Sequence, residues 1–319
     1  MRALQFRTYG GPEVLEWAAA PDPHAGPSQI RIAVRGASVN PIDWKAISGA
    51  MAGGKPMQGT GYLGSDAAGV VDEVGDGVTG VAVDDAVFGR GRNTQAEYAV
   101  LDSWAAKPPS IDWAVAAAAG VAGETGERGL RLLDVTAGDT LFVDGGAGGV
   151  GAVTVQMALA RGATVLASSS EANHDYLREI GATPVRYGPG LAERVRAAAG
   201  GPVDAVLDVA GKTPVEELIG LVPEPSQVVS IANFAAGQAG ARVTVAVPTA
   251  SPWRRWRRSP SCWPRTGSSS RCRPSRSTAP PRPSASASPA TSAESWSSSP
   301  DASLHLWRPE EDMTGVTAW

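Results

Sequence analysis

Cysteine and histidine are scarce in this sequence, with two and three residues among 319. Both cysteines, Cys262 and Cys272, fall in one unusual stretch near the C-terminal end, so neither a disulfide framework nor a cysteine-rich metal site fits. The histidines, His24, His174 and His305, are scattered without ligand spacing. No apolar run reaches the length of a membrane span, and MRALQFRTYG lacks the apolar stretch of a signal peptide. A cytoplasmic protein that binds no membrane is therefore expected. Positive charge is not in surplus either. A formal net charge of -4 argues against a nucleic-acid surface, which needs clustered Lys and Arg. Hydrophobic residues make up 43%, enough for one large domain or two ordinary ones with a substantial core.

A second absence is local. Between Ser251 and Pro300 there is no Val, Ile, Leu or Phe, only Arg, Ser, Pro, Ala and Trp in bulk, so this stretch cannot supply a packed core. Two readings compete: a basic low-complexity tail, or a shifted reading frame. With GC-rich codons and the frame started at the last base of the Pro252 codon, residues 253–267 read Val-Ala-Glu repeats, then Leu-Leu-Ala-Glu-Asp-Gly. That is an amphipathic helix with a glycine stop. The following segments read as a strand, a helix start and a final strand. The shifted frame is favoured, and the nucleotide sequence around Thr249 to Ser251 decides it.

The rest of the chain divides by pattern. MRALQF, EVLEWAAA and PSQIRIAVRGASVN read as strands, and the Gly- and Val-rich run from Gly64 to Arg90 suggests a compact barrel of short strands. DWAVAAAAG predicts a helix capped by Asp112 and ended at Gly120. From Asp139 strands and helices alternate: DTLFVDG, GGVGAVTVQMALARG, ATVLASS, ANHDYLREIG, LAERVRAAAG, VDAVLDVAG, PVEELIGLV and QVVSIANF. Repeated units of that length specify an α/β fold with a doubly wound parallel sheet.

Gly146-Ala147-Gly148-Gly149-Val150-Gly151 matches G-x-G-x-x-G between a strand and a helix. The first glycine permits a tight turn, the second a close approach to a pyrophosphate, and the third close helix–strand packing. The helix N-terminus then offers N–H groups and partial positive charge to the phosphates. NAD enzymes place Asp or Glu about 20 residues further on. Here that position holds Ser168-Ser169-Ser170, which is uncharged and able to donate to a 2′-phosphate. His174 is either a further donor or a solvent-facing helix residue, and Glu171 opposes a phosphate. NADPH is the expected cofactor.

The motifs ASVNPIDWK, LGSDAAGVVDEVGDGVTG and DGGAGGVGAVTVQMA, in that order and spacing, resemble the zinc-free, zeta-crystallin-like NADPH:quinone oxidoreductases of the medium-chain dehydrogenase/reductase superfamily. The resemblance covers residues 1 to about 245. It implies a GroES-like β-rich catalytic domain (1–120), a Rossmann domain (121–247), and an aberrant tail (248–319) where the chain should return to complete the first. It implies reduction of quinones or activated double bonds, usually by a homodimer. By resemblance, Asn40 and Asp43 lie at the floor of the nicotinamide cleft and Thr125 contacts the carboxamide. Val209, Ala210, Ile231, Ala232 and Asn233 would line the later strand ends, and Tyr187 would reach the adenosine phosphate. The plainer alternatives are an Asx turn for Asn40-Pro41 and a helix N-cap for Asp43. Lys45 is the candidate proton donor or an exposed lysine, with solvent as the other proton source. Trp44 and Met51 line a flat substrate pocket or are ordinary packing residues.

Residues 37–70 contain no His or Cys, and Gly64-Ser65-Asp66 stands where zinc alcohol dehydrogenases carry Gly-His-Glu. A catalytic zinc needs about three such ligands, so no metal is expected. Asp84-Asp85 replaces the family's usual Gly-Asp, and Gly126-Glu127 an apolar pair. Alternatives to quinone or enone reduction are an enoyl-thioester reductase, a cofactor-binding protein with little turnover, and a nonfunctional product of a damaged frame.

Overall fold

The computed structural model describes residues 1–244 together with Leu306 and Trp307. The expectation of a shifted frame falls on residues outside that set, apart from those two. Near the N-terminus, β1 (Arg2–Phe6) and β2 (Glu16–Ala19) form a small antiparallel sheet that β4 (Gly61–Tyr62) completes from further along the chain. The long strand β3 (Ile30–Ser38) is followed by the short helix α1 (Pro41–Ile47). Next come β5 (Asp66–Val74), β6 (Ala86–Arg92) and β7 (Tyr98–Ala106), paired antiparallel in order. Closure follows because β7 pairs back onto β3 over Ile30 to Ala33, which gives both strands a partner on each side. Alternate residues Ile30, Ile32 and Val34 point inward and meet Val71, Val87, Leu101 and Trp104. The expected β-rich barrel is therefore present. Leu306 and Trp307 form β14, which adds antiparallel to β3 beside Ser38 and Ala37.

The β5–β6 turn shows what the Asp84-Asp85 departure does. Asp84 has φ +73°, in the left-handed region that glycine occupies freely. Asp84→Gly should raise stability by about 1 kcal/mol, roughly 2 to 4 °C in a thermal melt. An unchanged or lowered melting temperature would show that the turn is relaxed with aspartate.

The helix α2 (Trp113–Leu132) corrects one expectation. It starts as read, with Asp112 accepting from Val115 N at 2.7 Å, but it runs a further three turns past Gly120. Gly120, Gly126 and Gly129 inside it serve close packing rather than termination. A Cβ on Gly120 would lie 2.5 Å from Asp66 Cβ, on Gly126 2.6 Å from Thr154 Oγ1, and on Gly129 2.7 Å from Leu207 Cδ1. So α2 lies against both the barrel and the second sheet. Glu127, unexpected beside Gly126, is paired with Arg161 just beyond α3 (Gly149–Ala160).

The second sheet contains β8 (Thr140–Asp144), β9 (Thr164–Ser169), β10 (Thr183–Arg186), β11 (Ala205–Asp208), β12 (Val228–Ser230) and β13 (Arg242–Val243), all parallel. Their spatial order is β10-β9-β8-β11-β12-β13. This is the Rossmann order 3-2-1-4-5-6, with its switch point beside β8. Helices α3, α4 (His174–Glu179), α5 (Leu191–Ala199) and α6 (Val215–Ile219) supply the crossovers. Near-continuous burial along the strands, for example Leu141, Phe142 and Val143, reflects cover on both faces. Leu141, Val143 and Leu207 pack on one face and Phe142, Leu166 and Val206 on the other. Among the described residues, no helix is long and apolar enough to cross a membrane.

Candidate functional site

The C-terminal ends of the parallel strands converge on the glycine loop between β8 and α3. Gly146 N donates to Ser168 O at 2.9 Å and Gly145 N to Ser168 Oγ at 2.8 Å, which ties the loop to the end of β9. The glycines have separable reasons. A Cβ on Gly146 would sit 2.4 Å from Ala167 Cβ, and one on Gly151 2.2 Å from Gly145 O. The protein's own atoms forbid side chains there. Gly148 is different: its φ is −75°, and the one atom near a Cβ is Gly145 O at 3.4 Å. Nothing within the fold requires glycine at that point. There α3 begins, with N–H groups that lack intrahelical acceptors. The loop residues Ala147, Gly149 and Val150 are only partly buried, so this cradle fits a pyrophosphate.

The three serines separate. Ser168 is fully buried and its hydroxyl donates to Asp144 Oδ1, while Ser169 is buried and donates to Ser170 O. They lie on opposite faces of β9, and both are buried because the parallel sheet is covered on both faces up to its end at Ser169. Ser170 alone lies past the strand end and is partly exposed, its Oγ accepting from Asn173 at 3.2 Å. His174 is half-buried at the start of α4, and its Nε2 is shielded from solvent without a partner. That shielded atom disfavours the solvent-facing alternative. Tyr187 is half exposed beyond β10. Sequence reasoning passed over Arg186, in register with Ser169 and within 3.4 Å of Glu171. Its signal was available: a cation at the end of the strand next to the discriminating one. Arg194 holds the loop behind it by donating to the carbonyls of Arg186, Tyr187, Gly188 and Pro189.

On the far side of the switch point, Asp208 is buried at the end of β11. It accepts from Gly211 N (2.7 Å), Ala210 N (3.1 Å) and Ser230 Oγ (2.7 Å). Ser230 Oγ accepts in turn from Asn233 N at 2.8 Å. These bonds shape the Val209-Ala210 and Ile231-Ala232-Asn233 segments. Burial pushes the carboxyls of Asp144 and Asp208 above the usual range.

In the barrel, Asn40 is the N-cap of α1 and Asp43 its third helical residue. Asp43 accepts from Asn40 N at 2.7 Å and Gly64 N at 3.1 Å, and its carboxyl is raised by burial. Asp43 is thus a capping-box acid and not the N-cap itself. Asn40 is half-buried, with its amide nitrogen on Ser38 Oγ (2.8 Å) and Asp66 Oδ1 (2.9 Å). Trp44 and Met51 are 51% and 60% exposed, so they are surface residues beside α1 rather than core. Lys45 is exposed on the same helix. Thr125 is buried in α2, with Arg128 Nη2 at 3.5 Å from its hydroxyl. Asp66, which stands where zinc alcohol dehydrogenases carry Glu, is fully buried.

A glycine cradle at the switch point of a Rossmann sheet, joined to a GroES-like barrel, defines a nicotinamide-dependent oxidoreductase. Family models agree: the alcohol dehydrogenase GroES-like domain matches residues 26–125 and the zinc-binding dehydrogenase domain residues 149–253. A chloroplast envelope quinone oxidoreductase homolog of Arabidopsis thaliana is 30% identical over 228 residues, 67% of this chain and 69% of that protein. A 2-methylene-furan-3-one reductase of Solanum lycopersicum is 33% identical over 57% of this chain and 50% of that one. The chain also matches a spectinabilin polyketide synthase protein of Streptomyces orinoci, 37% identical over 54% of this chain but only 8% of that protein's length. A mycobacterial structure determined with NADPH superposes with TM-score 0.65 at 28% identity, over 77% of this chain and 82% of that one. The chain belongs to the quinone oxidoreductase type of the medium-chain dehydrogenase/reductase superfamily.

Proposed function

We propose that the chain reduces quinones or α,β-unsaturated carbonyl compounds with NADPH and without zinc. The observation that carries this reading is Gly148, a glycine the fold does not need, placed where the pyrophosphate of a dinucleotide would cross the switch point. When bound, NADPH supplies the hydride. The residues' part is to hold it: Gly146–Gly151 for the pyrophosphate, Ser170, His174, Arg186 and Tyr187 for the adenosine half, and Asn40, Thr125, Val209, Ala210 and Ile231–Asn233 for the nicotinamide half. Exposed Trp44 and Met51 offer apolar surface to a flat acceptor, and Lys45 is the candidate proton donor. The division at residues 120 and 121 belongs to the same proposal, with α2 crossing it.

Zinc does not fit. Residues 37–70 lack His and Cys, and Asp66 is already engaged by Ser38, Asn40 and Val121. Purified protein should hold far less than one zinc per chain, and chelators should leave turnover intact. Stoichiometric zinc lost together with activity would refute this.

Fluorescence titration should show NADPH bound more tightly than NADH by about tenfold, about 1.4 kcal/mol. Turnover against a quinone panel tests the acceptor. The polyketide synthase relative favours a second reading, an enoyl thioester acceptor, so the panel should include one. Binding without turnover of either class would leave a cofactor-binding protein.

A further inference from the structure

We propose that Asp66 is a positioning residue that holds the nicotinamide-facing side chains Asn40 and Thr125 in one arrangement; this rests on the reading of those two residues given above. Asp66 opens β5 and has no exposed surface. Its Oδ1 accepts from Asn40 Nδ2 at 2.9 Å and from the Ser38 hydroxyl. Its Oδ2 accepts from Val121 N at 2.7 Å, in the middle of α2 and one turn before Thr125. The approach is possible because residue 120 is glycine, whose Cβ would lie 2.5 Å from that of Asp66. One carboxylate therefore joins the head of α1, the end of β3 and the turn of α2 that leads to Thr125.

The chemistry dictates orientation. An ionised carboxylate only accepts, so Asn40 must present its NH2 to Asp66 and turn its carbonyl oxygen away. The amide plane of Asn40 is thereby fixed between Asp66 and the first turn of α1. Burial pushes the Asp66 carboxyl up to about 6, with hydrogen bonds from Ser38, Val121 and Asn40 opposing and the charge of Asp43 adding to the rise. Arg90, in register with Asp66 on β6, pairs with Glu124 of α2, which also holds Arg128. Because the folded pKa lies above the ordinary value, the stability this group contributes is greatest below about pH 4 and lost as pH rises through about 6. The ionised form is thus kept against stability, as expected for a group retained for positioning.

The test uses the full chain and two probes, NADPH and 2′,5′-ADP, the latter carrying the adenosine half alone. Equilibrium titration of Asp66→Asn should show NADPH weakened about tenfold and 2′,5′-ADP changed less than twofold. Asparagine of the same size must face a donor with a donor, either at Val121 N–H or at Asn40. Asn40→Ala should give a similar loss, and the double variant no further loss, since both act through one amide. Below pH 6 the ratio of NADPH to 2′,5′-ADP affinity should fall further in wild type than in Asp66→Asn, which reports the phosphate titrations of the probes alone. If Asp66→Asn fails to fold, Ser38→Ala, which removes one donor, should weaken NADPH about threefold by the same comparison. Equal loss of both probes would mean a purely structural role, and unchanged NADPH affinity no role. Either overturns the inference while leaving the cofactor reading in place. Wild type that binds 2′,5′-ADP and NADPH equally tightly, or neither, would overturn the cofactor reading itself.

Discussion

Gly148→Asp should weaken NADPH binding about a hundredfold or more, about 2.7 kcal/mol, with thermal unfolding unchanged or slightly later. Aspartate is a preferred N-cap, and its charge complements the helix N-terminus, so α3 itself gains by the exchange. The backbone at 148 has φ −75°, which any residue adopts, and a Cβ meets only Gly145 O, at 3.4 Å. The same space is where the pyrophosphate would lie, so the carboxylate meets it with bulk and like charge. Gly151→Ala is the control with the opposite pattern. Its Cβ would sit 2.2 Å from Gly145 O, a backbone atom that cannot step aside alone. That variant should lose about 1 to 3 kcal/mol of stability through overpacking and lose binding as a consequence. Titration and melting of both variants separate the two roles. Full NADPH affinity in Gly148→Asp would remove the phosphate reading of the loop.

The loop was legible from sequence because strand, glycine spacing and helix lie together in the chain, and each glycine expresses a local backbone need. The β-α alternation was legible for the same reason. What failed depended on contacts distant in sequence. Gly120 reads as a stop until Asp66, 54 positions earlier, is seen against it; Gly126 and Gly129 likewise answer to Thr154 and Leu207. Ser168 and Ser169 read as part of a hydroxyl row, but the strand extends through Ser169 and buries both, leaving Ser170. Asp43 reads locally as an N-cap, but the cap is Asn40 and Asp43 is the third residue of its capping box. Asp66 was counted as an absent ligand, and only the fold shows that its carboxylate already has three donors.

Arg186→Glu should reverse the cofactor preference, from about tenfold for NADPH to about tenfold for NADH, a swing of about 2.7 kcal/mol. Arg186 ends β10 beside Ser169, and its guanidinium lies 3.4 Å from Glu171 with both side chains about two-thirds exposed. An exposed pair of that kind contributes little to stability, so the fold has no strong claim on either partner. A 2′-phosphate near Ser170 would compete for the arginine with a higher charge and bidentate geometry. This also accounts for Glu171, which the sequence alone made an obstacle: in the free protein it keeps Arg186 at the strand end, and a phosphate would displace it. Glu171→Gln should accordingly tighten NADPH a few-fold and leave NADH within twofold. Arg186→Glu places two carboxylates at the strand end, repelling a phosphate while leaving acceptors for a ribose hydroxyl, the arrangement NAD enzymes use. Melting temperatures of both variants should stay close to wild type, since both residues are exposed. Equal loss of NADPH and NADH in Arg186→Glu would show that the loop held by Arg194 had collapsed. No loss of NADPH would put the phosphate site elsewhere, with His174 and its unpartnered Nε2 the next position to change.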